Sequence, residues 1–175
     1  MSTHLIKKGH HQDNRPFSSW PHIGRKSIAF WVTFGQDCAY SLPDYYAANV
    51  NKLFGLSFGF FGVHRNSARF GWYWDPEQQC MRLIAYCYTD GVKDWNLRKE
   101  FPVVGRAQLG QRVLCRLVVE ADAYHFSVSD ASGQLVSELR LARPKHLPGF
   151  GLTHSLYFGG ELPAPHDMHI EMQKA

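Results

Sequence analysis

The hydrophobic positions of this chain recur every second residue, in short runs punctuated by glycine and proline. The pattern first settles at residues 26–34, KSIAFWVTF, a β-branched and aromatic run closed by Gly35. DCAYSL follows before Pro43, and the two runs predict a pair of strands. LFGLSFGFFG places Phe54, Leu56, Phe58 and Phe60 on one face and Gly55, Ser57 and Gly59 on the other. Strict period two with small residues opposite predicts a strand whose glycine side meets another group at close range.

ARFGWYWD, the turn DPEQQ and MRLIAYCYTDG predict two strands paired through that turn, with Asp90-Gly91 marking a further hairpin. In QRVLCRLVVEA, Val113, Cys115, Leu117 and Val119 alternate with Arg112, Arg116 and Glu120. AYHFSVSD and QLVSELRLA follow, giving a three-strand meander with a half-exposed outer face. GLTHSLYFGG and HDMHIEM supply the closing strands, on either side of the loop ELPAP. The one helical pattern, PDYYAANVNK over residues 43–52, is too short to form a packing layer.

About ten strands without an intervening long helix predict an all-β chain, a two-sheet antiparallel jelly-roll sandwich. The first 24 residues are polar, His-rich and broken by Pro16, Pro21 and Gly24. They read as an extended N-terminal arm (1–24) on a single sandwich domain (25–175). Aromatic residues make up 14% of the chain, so large side chains dominate the expected core.

The net charge of +4 is scattered, and basic stretches such as Ile6-Lys7-Lys8 and Ala142-Arg143-Pro144-Lys145 are short. This is a poor footprint for nucleic acid, and these stretches read as solvated loops. No apolar run reaches the roughly 18 residues that would span a bilayer, and the first residues lack the apolar run of a signal peptide. The expectation is a soluble, cytoplasmic protein. Cys38, Cys80, Cys87 and Cys115 form no C-x-x-C pair and are expected to be reduced.

As a pattern over residues 26–173, the broad glycine-bearing aromatic strand pair and the final strand after YFGG resemble the concanavalin A-like lectin and glucanase sandwiches. The segments NKLFGLSFGFFGVHRNSARFGW and YFGGELPAPHDMHIEM are similar to pieces of uncharacterised bacterial sandwich proteins. The resemblance implies carbohydrate recognition. The E-x-D-x-x-E strand of the sandwich glucanases is absent, and Glu120 with Asp122 is a solvated pair. Tyr157-Phe158 and the following glycines resemble sandwich alginate lyases, but their Q-I-H and R-x-E-x-R strands are missing.

Three constellations carry candidate chemistry. His10, His11 and Asp13 offer metal ligands on the arm, although adjacent histidines on an extended chain point apart. Asp167, His169 and Glu171 share a strand face but are spread over roughly 13 Å. Neither is assigned a metal, and no cofactor is expected. The third is the polar hairpin 63–72 with Asn51 and Lys52 before it. His64, Arg65, Asn66 and Arg69 lie beside Trp74, with Arg82, Tyr86 and Tyr88 on the strand opposite.

Aromatic faces stack on sugar C–H surfaces and planar polar groups bind hydroxyls, so the expected ligand-binding residues are His64, Arg65, Asn66, Arg69, Trp74, Tyr86 and Tyr88. The expected function is non-catalytic carbohydrate binding. One alternative is a polysaccharide lyase using His64, Arg69, Tyr86 and Tyr88. A further alternative is a self-associating or protein-interaction module, with homo-oligomers as partners.

Overall fold

The computed structural model describes residues 2–15, 17–43, 49–59, 62–93 and 101–175. The first sheet holds β1 (Ser2–Ile6), β13 (Met168–Lys174), β3 (Ser27–Phe34), β9 (Arg112–Val119), β10 (Ala123–Ser129) and β11 (Leu135–Ala142), in that spatial order. The second runs β2 (Ser19–Ile23), β12 (Phe150–His154), β4 (Asn51–Phe58), β5 (Ser67–Asp75), β6 (Cys80–Thr89) and β7 (Val92–Lys93), and β8 (Val103–Ala107) also pairs with β6. All these pairings are antiparallel. The architecture is a two-sheet antiparallel jelly-roll sandwich, with a 3-10 turn at Gln36–Cys38.

The inner faces follow the alternation read from the sequence. Phe54, Leu56 and Phe58 of β4, Phe70, Trp72 and Trp74 of β5, and Met81, Leu83 and Ala85 of β6 face Val113, Cys115 and Leu117 of β9 and Phe126 of β10 in one core. Aromatic pairs join the layers: Phe30 lies 4.9 Å from Phe54, Phe70 5.1 Å from Phe126, and Phe34 5.3 Å from Trp72. Tilted and edge-on geometries at these separations are those that ring quadrupoles favour. At Asp90 (φ 50°) and Gly91 (φ 85°) the expected hairpin turn forms, with two successive left-handed residues.

Two segments depart from the expectation. Residues 2–6 and 19–23, read as parts of an arm, are edge strands, β1 on β13 and β2 on β12. His and Pro interrupt their apolar period, yet an edge strand tolerates both, and Pro21 sits opposite Leu152 in the β2–β12 ladder. DCAYSL is not a strand. Asp37 instead accepts hydrogen bonds from the backbone and ring of His169, at 3.0 and 2.5 Å, which ties this turn to β13. Phe60 and residues 44–48, half of the short helical turn expected over 43–52, lie outside the described residues, and Asn51 and Lys52 open β4 instead.

Candidate functional site

The candidate site is built on the outer face of the second sheet. There β4 and β5 present small residues, Gly55 and Ser57 opposite Arg69 and Ser67 in the ladder. Their smallness leaves room for long side chains from neighbouring strands to lie flat. A Cβ on Gly55 would stand 2.5 Å from the Arg69 Cγ, so the glycine is what lets the arginine stem cross the sheet.

The long side chains form a line of rings and cations. The Arg69 guanidinium lies 4.8 Å from the Tyr86 ring centre, and the Lys52 Nζ lies 4.9 Å from the same ring and 5.6 Å from that of Tyr157. Lys52 donates to the Gly159 carbonyl at 2.9 Å. Tyr86 and Tyr88 are 5.9 Å apart, and His64 stacks on Tyr88 at 5.2 Å. Tyr157 carries a stacked His11 at its other end, whose Nδ1 donates to the Phe158 carbonyl.

His64 is exposed, but Arg69, Tyr86 and Tyr88 are 8%, 9% and 5% exposed, and the two tyrosines pack with Val50, Tyr73, Ile84 and Phe101 in a second apolar cluster. Burial holds the Arg69 guanidinium below its usual value, opposed by the Tyr86 and Tyr88 hydroxyls. Burial, then a hydrogen bond with Tyr88, pushes the Tyr86 phenol up.

Beside Arg69, His154 is hydrogen-bonded at both ring nitrogens, to the Ser19 and Ser57 hydroxyls, each at 2.8 Å. Burial, then the charge of Arg69, then His22 lower its pKa to about 4, so the ring is neutral near pH 7. Sequence reasoning missed His154, Ser19 and Tyr157 as members of this face. The small side of β4 was the available signal, since a row of Gly and Ser must be covered by something large.

The expected site residues divide. His64, Arg69, Tyr86 and Tyr88 come together as described. Arg65 and Asn66 sit at the β4–β5 tip, where Asn66 accepts from the Asp90 backbone at 2.9 Å. They line a cleft of about 550 Å³ with Phe58, Asp90, His146 and Phe150. Trp74 points the other way, into the core, and is not part of the group. Arg82 pairs with Asp75 at 2.8 Å, away from it.

Neither metal constellation assembles. Asp13 is buried in a hydrogen bond with the His4 ring, while Asp167 accepts from the Lys8 backbone. Among the described residues no three His, Cys, Asp or Glu side chains group to hold a metal ion. None of the helices formed by those residues is long and apolar enough to cross a membrane.

No family profile matches the chain, and no curated protein does. Among solved structures, a functionally unknown protein from Saccharomyces cerevisiae superposes with a TM-score of 0.52 at 10% identity, over 90% of this chain and 72% of that one. The GH43 protein BlXynB from Bacillus licheniformis gives 0.50 at 9% identity, over 83% of this chain and 26% of that one. The chain thus spans about a quarter of BlXynB. The carbohydrate binding module CBM66 from Bacillus subtilis aligns over 87% of this chain and 83% of its own at 10% identity, with a TM-score of only 0.35. At these identities the likeness establishes the jelly-roll fold and stops there.

Proposed function

We propose that this protein is a non-catalytic carbohydrate-binding sandwich whose ligand enters the cleft at the β4–β5 tip. The observation that carries the reading is the composition of that cleft. Its volume, about 550 Å³, falls in the ordinary range for small-molecule sites. Phe150, 41% exposed, supplies an apolar ring face, and Arg65, Asn66 and Asp90 supply planar donors and acceptors. This is the pairing that sugar C–H faces and hydroxyls call for. His64, Arg69, Tyr86 and Tyr88 are not among the residues lining this cleft, and they stay a separate group. The jelly-roll likeness to a GH43 protein supports the reading by fold analogy alone.

A lyase is the second reading, favoured by the convergence of His64, Tyr88, Tyr86 and Arg69. The raised Tyr86 pKa works against it, since a proton-abstracting phenolate would need the opposite shift.

Screening on a glycan array, followed by calorimetry on the hits, tests both readings. Arg65→Ala and Phe150→Ala are expected to weaken binding by roughly 5- to 150-fold, the loss of one well-placed contact of about 1–3 kcal/mol. Binding that both variants leave unchanged, or an array without hits, overturns the proposal. Release of an unsaturated sugar product from a bound glycan replaces it with the lyase.

A further inference from the structure

Next to the tip cleft, where the two sheets open at one end of the sandwich, lies a second cavity of about 250 Å³. Its polar lining is His22, Arg25, Lys26, Arg143, Lys145 and His146, and no carboxylate takes part. These polar residues come from two distant segments. The chain leaves β2 through Gly24, whose φ of +62° and hydrogen bond to the Gly149 carbonyl turn Arg25 and Lys26 towards the opening. After β11, the Arg143 guanidinium is fixed by the carbonyls of Glu120 and Pro144, both at 2.7 Å.

Four permanent cations thus surround one small cavity, and among the described residues none of them is in an ion pair. Like charges gathered without counter-charge raise the local potential and concentrate anions.

His22 adds an independent observation. It is only 6% exposed, and its ring stands edge-on to Phe58 on the cavity wall. Its Nε2 donates to the Ser57 carbonyl at 3.2 Å. That bond fixes the tautomer, leaving Nδ1 as a bare acceptor, and this buried atom has no partner. His22 lines the cavity, and an unsatisfied buried polar atom on a cavity-lining side chain calls for an occupant that reaches it.

We propose that this cavity is an oxyanion site for the acidic group of a sugar, a carboxylate or a sulfate or phosphate ester. Arg25, Lys26, Arg143 and Lys145 neutralise the charge, and a hydroxyl beside the acidic group donates to His22 Nδ1. The volume suits a single charged ring or less. The cavity shares Phe58, His146 and Pro148 with the tip cleft, so one acidic glycan can occupy both. The sugar part of this inference rests on the carbohydrate reading; the oxyanion part does not.

The test is a calorimetric series at low salt with inorganic sulfate, glucuronate, glucose 6-phosphate and glucose, on the unaltered chain and on the double variant Arg25→Gln, Lys145→Gln. Lys145 is exposed, while Arg25 is half-buried and donates to the Thr153 hydroxyl at 3.2 Å, so a thermal melt verifies that the fold survives. The charged sugars are expected to bind at least tenfold more tightly than glucose, to weaken with added salt, and to lose at least tenfold in the double variant. Sulfate alone, lost in the same variant, supports an anion site that does not need the sugar. Equal affinity for glucose and the charged sugars, or charged sugars that bind the double variant undiminished, overturns the inference. Neutral glycans that bind through Arg65 without any acidic preference would leave the tip cleft standing and remove only this site. Charged-sugar binding that depends on Arg25 and Lys145 but not on Arg65 would do the reverse.

Discussion

The guanidinium of Arg69 lies 4.8 Å from the ring centre of Tyr86, its partner across the β5–β6 ladder. Among the described residues no carboxylate pairs with this cation, and its Nε has no hydrogen-bond partner. A ring face returns about 2 kcal/mol to a desolvated cation, less than desolvation costs. Arg69→Met keeps the stem across Gly55 and removes the charge, so stability should hold or rise. Tyr86→Ala should instead lose about 3–5 kcal/mol by emptying a packed site. Urea unfolding of the two variants checks the contrast. A loss of several kcal/mol in Arg69→Met would show that the guanidinium is fully compensated. Tyr88, equally buried, should behave like Tyr86, so ligand contacts are better read at the exposed His64 and Arg65.

Gly55 sets how closely β4 and β5 approach. A Cβ there would stand 2.3 Å from the Ala68 carbonyl and 2.5 Å from the Arg69 Cα, both backbone atoms that cannot swing away. Gly55→Ala should therefore cost about 3 kcal/mol, the upper end of the usual overpacking range. Gly149→Ala, with nothing within 4 Å of the added carbon, is the control and should stay within about 0.5 kcal/mol. Similar melting temperatures for the two variants would refute the close approach.

The strands that bury one face were legible because burial writes itself as period two. β9 alternates Val113, Cys115 and Leu117 with polar positions, and the core lies where those residues point. β1 and β2 carry no such signature because each is paired on one side only, and β1 finds its partner about 165 residues away. The meeting of Arg69 with Tyr86 followed from the tight turn between β5 and β6, which fixes their register. That register also excludes Trp74, since Phe70, Trp72 and Trp74 share the face opposite to Arg69. The basic cavity was illegible for a different reason. Lys145 belongs to a short stretch that reads as a solvated loop, Arg25 stands at the boundary drawn between arm and domain, and only the sandwich end brings them together.

None of the four cysteines is in a disulfide, and all four are buried. Burial, with Asp37 next, pushes the Cys38 thiol up to about 12, and burial also pushes Cys115 up. Since the thiolate is the reactive form, a thiol reagent should label the folded protein slowly and reach four equivalents only in denaturant. A reductant should leave the melting temperature unchanged. A drop of many degrees on reduction would reveal a structural disulfide.

His154 makes stability depend on pH in a predictable direction. Its pKa is about 4 in the folded chain, against 6.5 for the unperturbed side chain. Between these values the unfolded chain binds a proton that the folded chain refuses, so stability is full above about pH 6.5 and falls as the pH drops towards 4. His22, also lowered, first by burial, acts in the same direction. From pH 6.5 to pH 5, before most carboxylates titrate, the loss from His154 amounts to about 1.5 kcal/mol. His154→Asn keeps a polar side chain between Ser19 and Ser57 but cannot titrate, so its unfolding free energy should change less over the same interval. Denaturant unfolding at half-unit steps from pH 7.5 to pH 5 measures the slope. An unaltered chain that is flat across this window, or a variant with the same slope, would mean that His154 accepts its proton in the folded state.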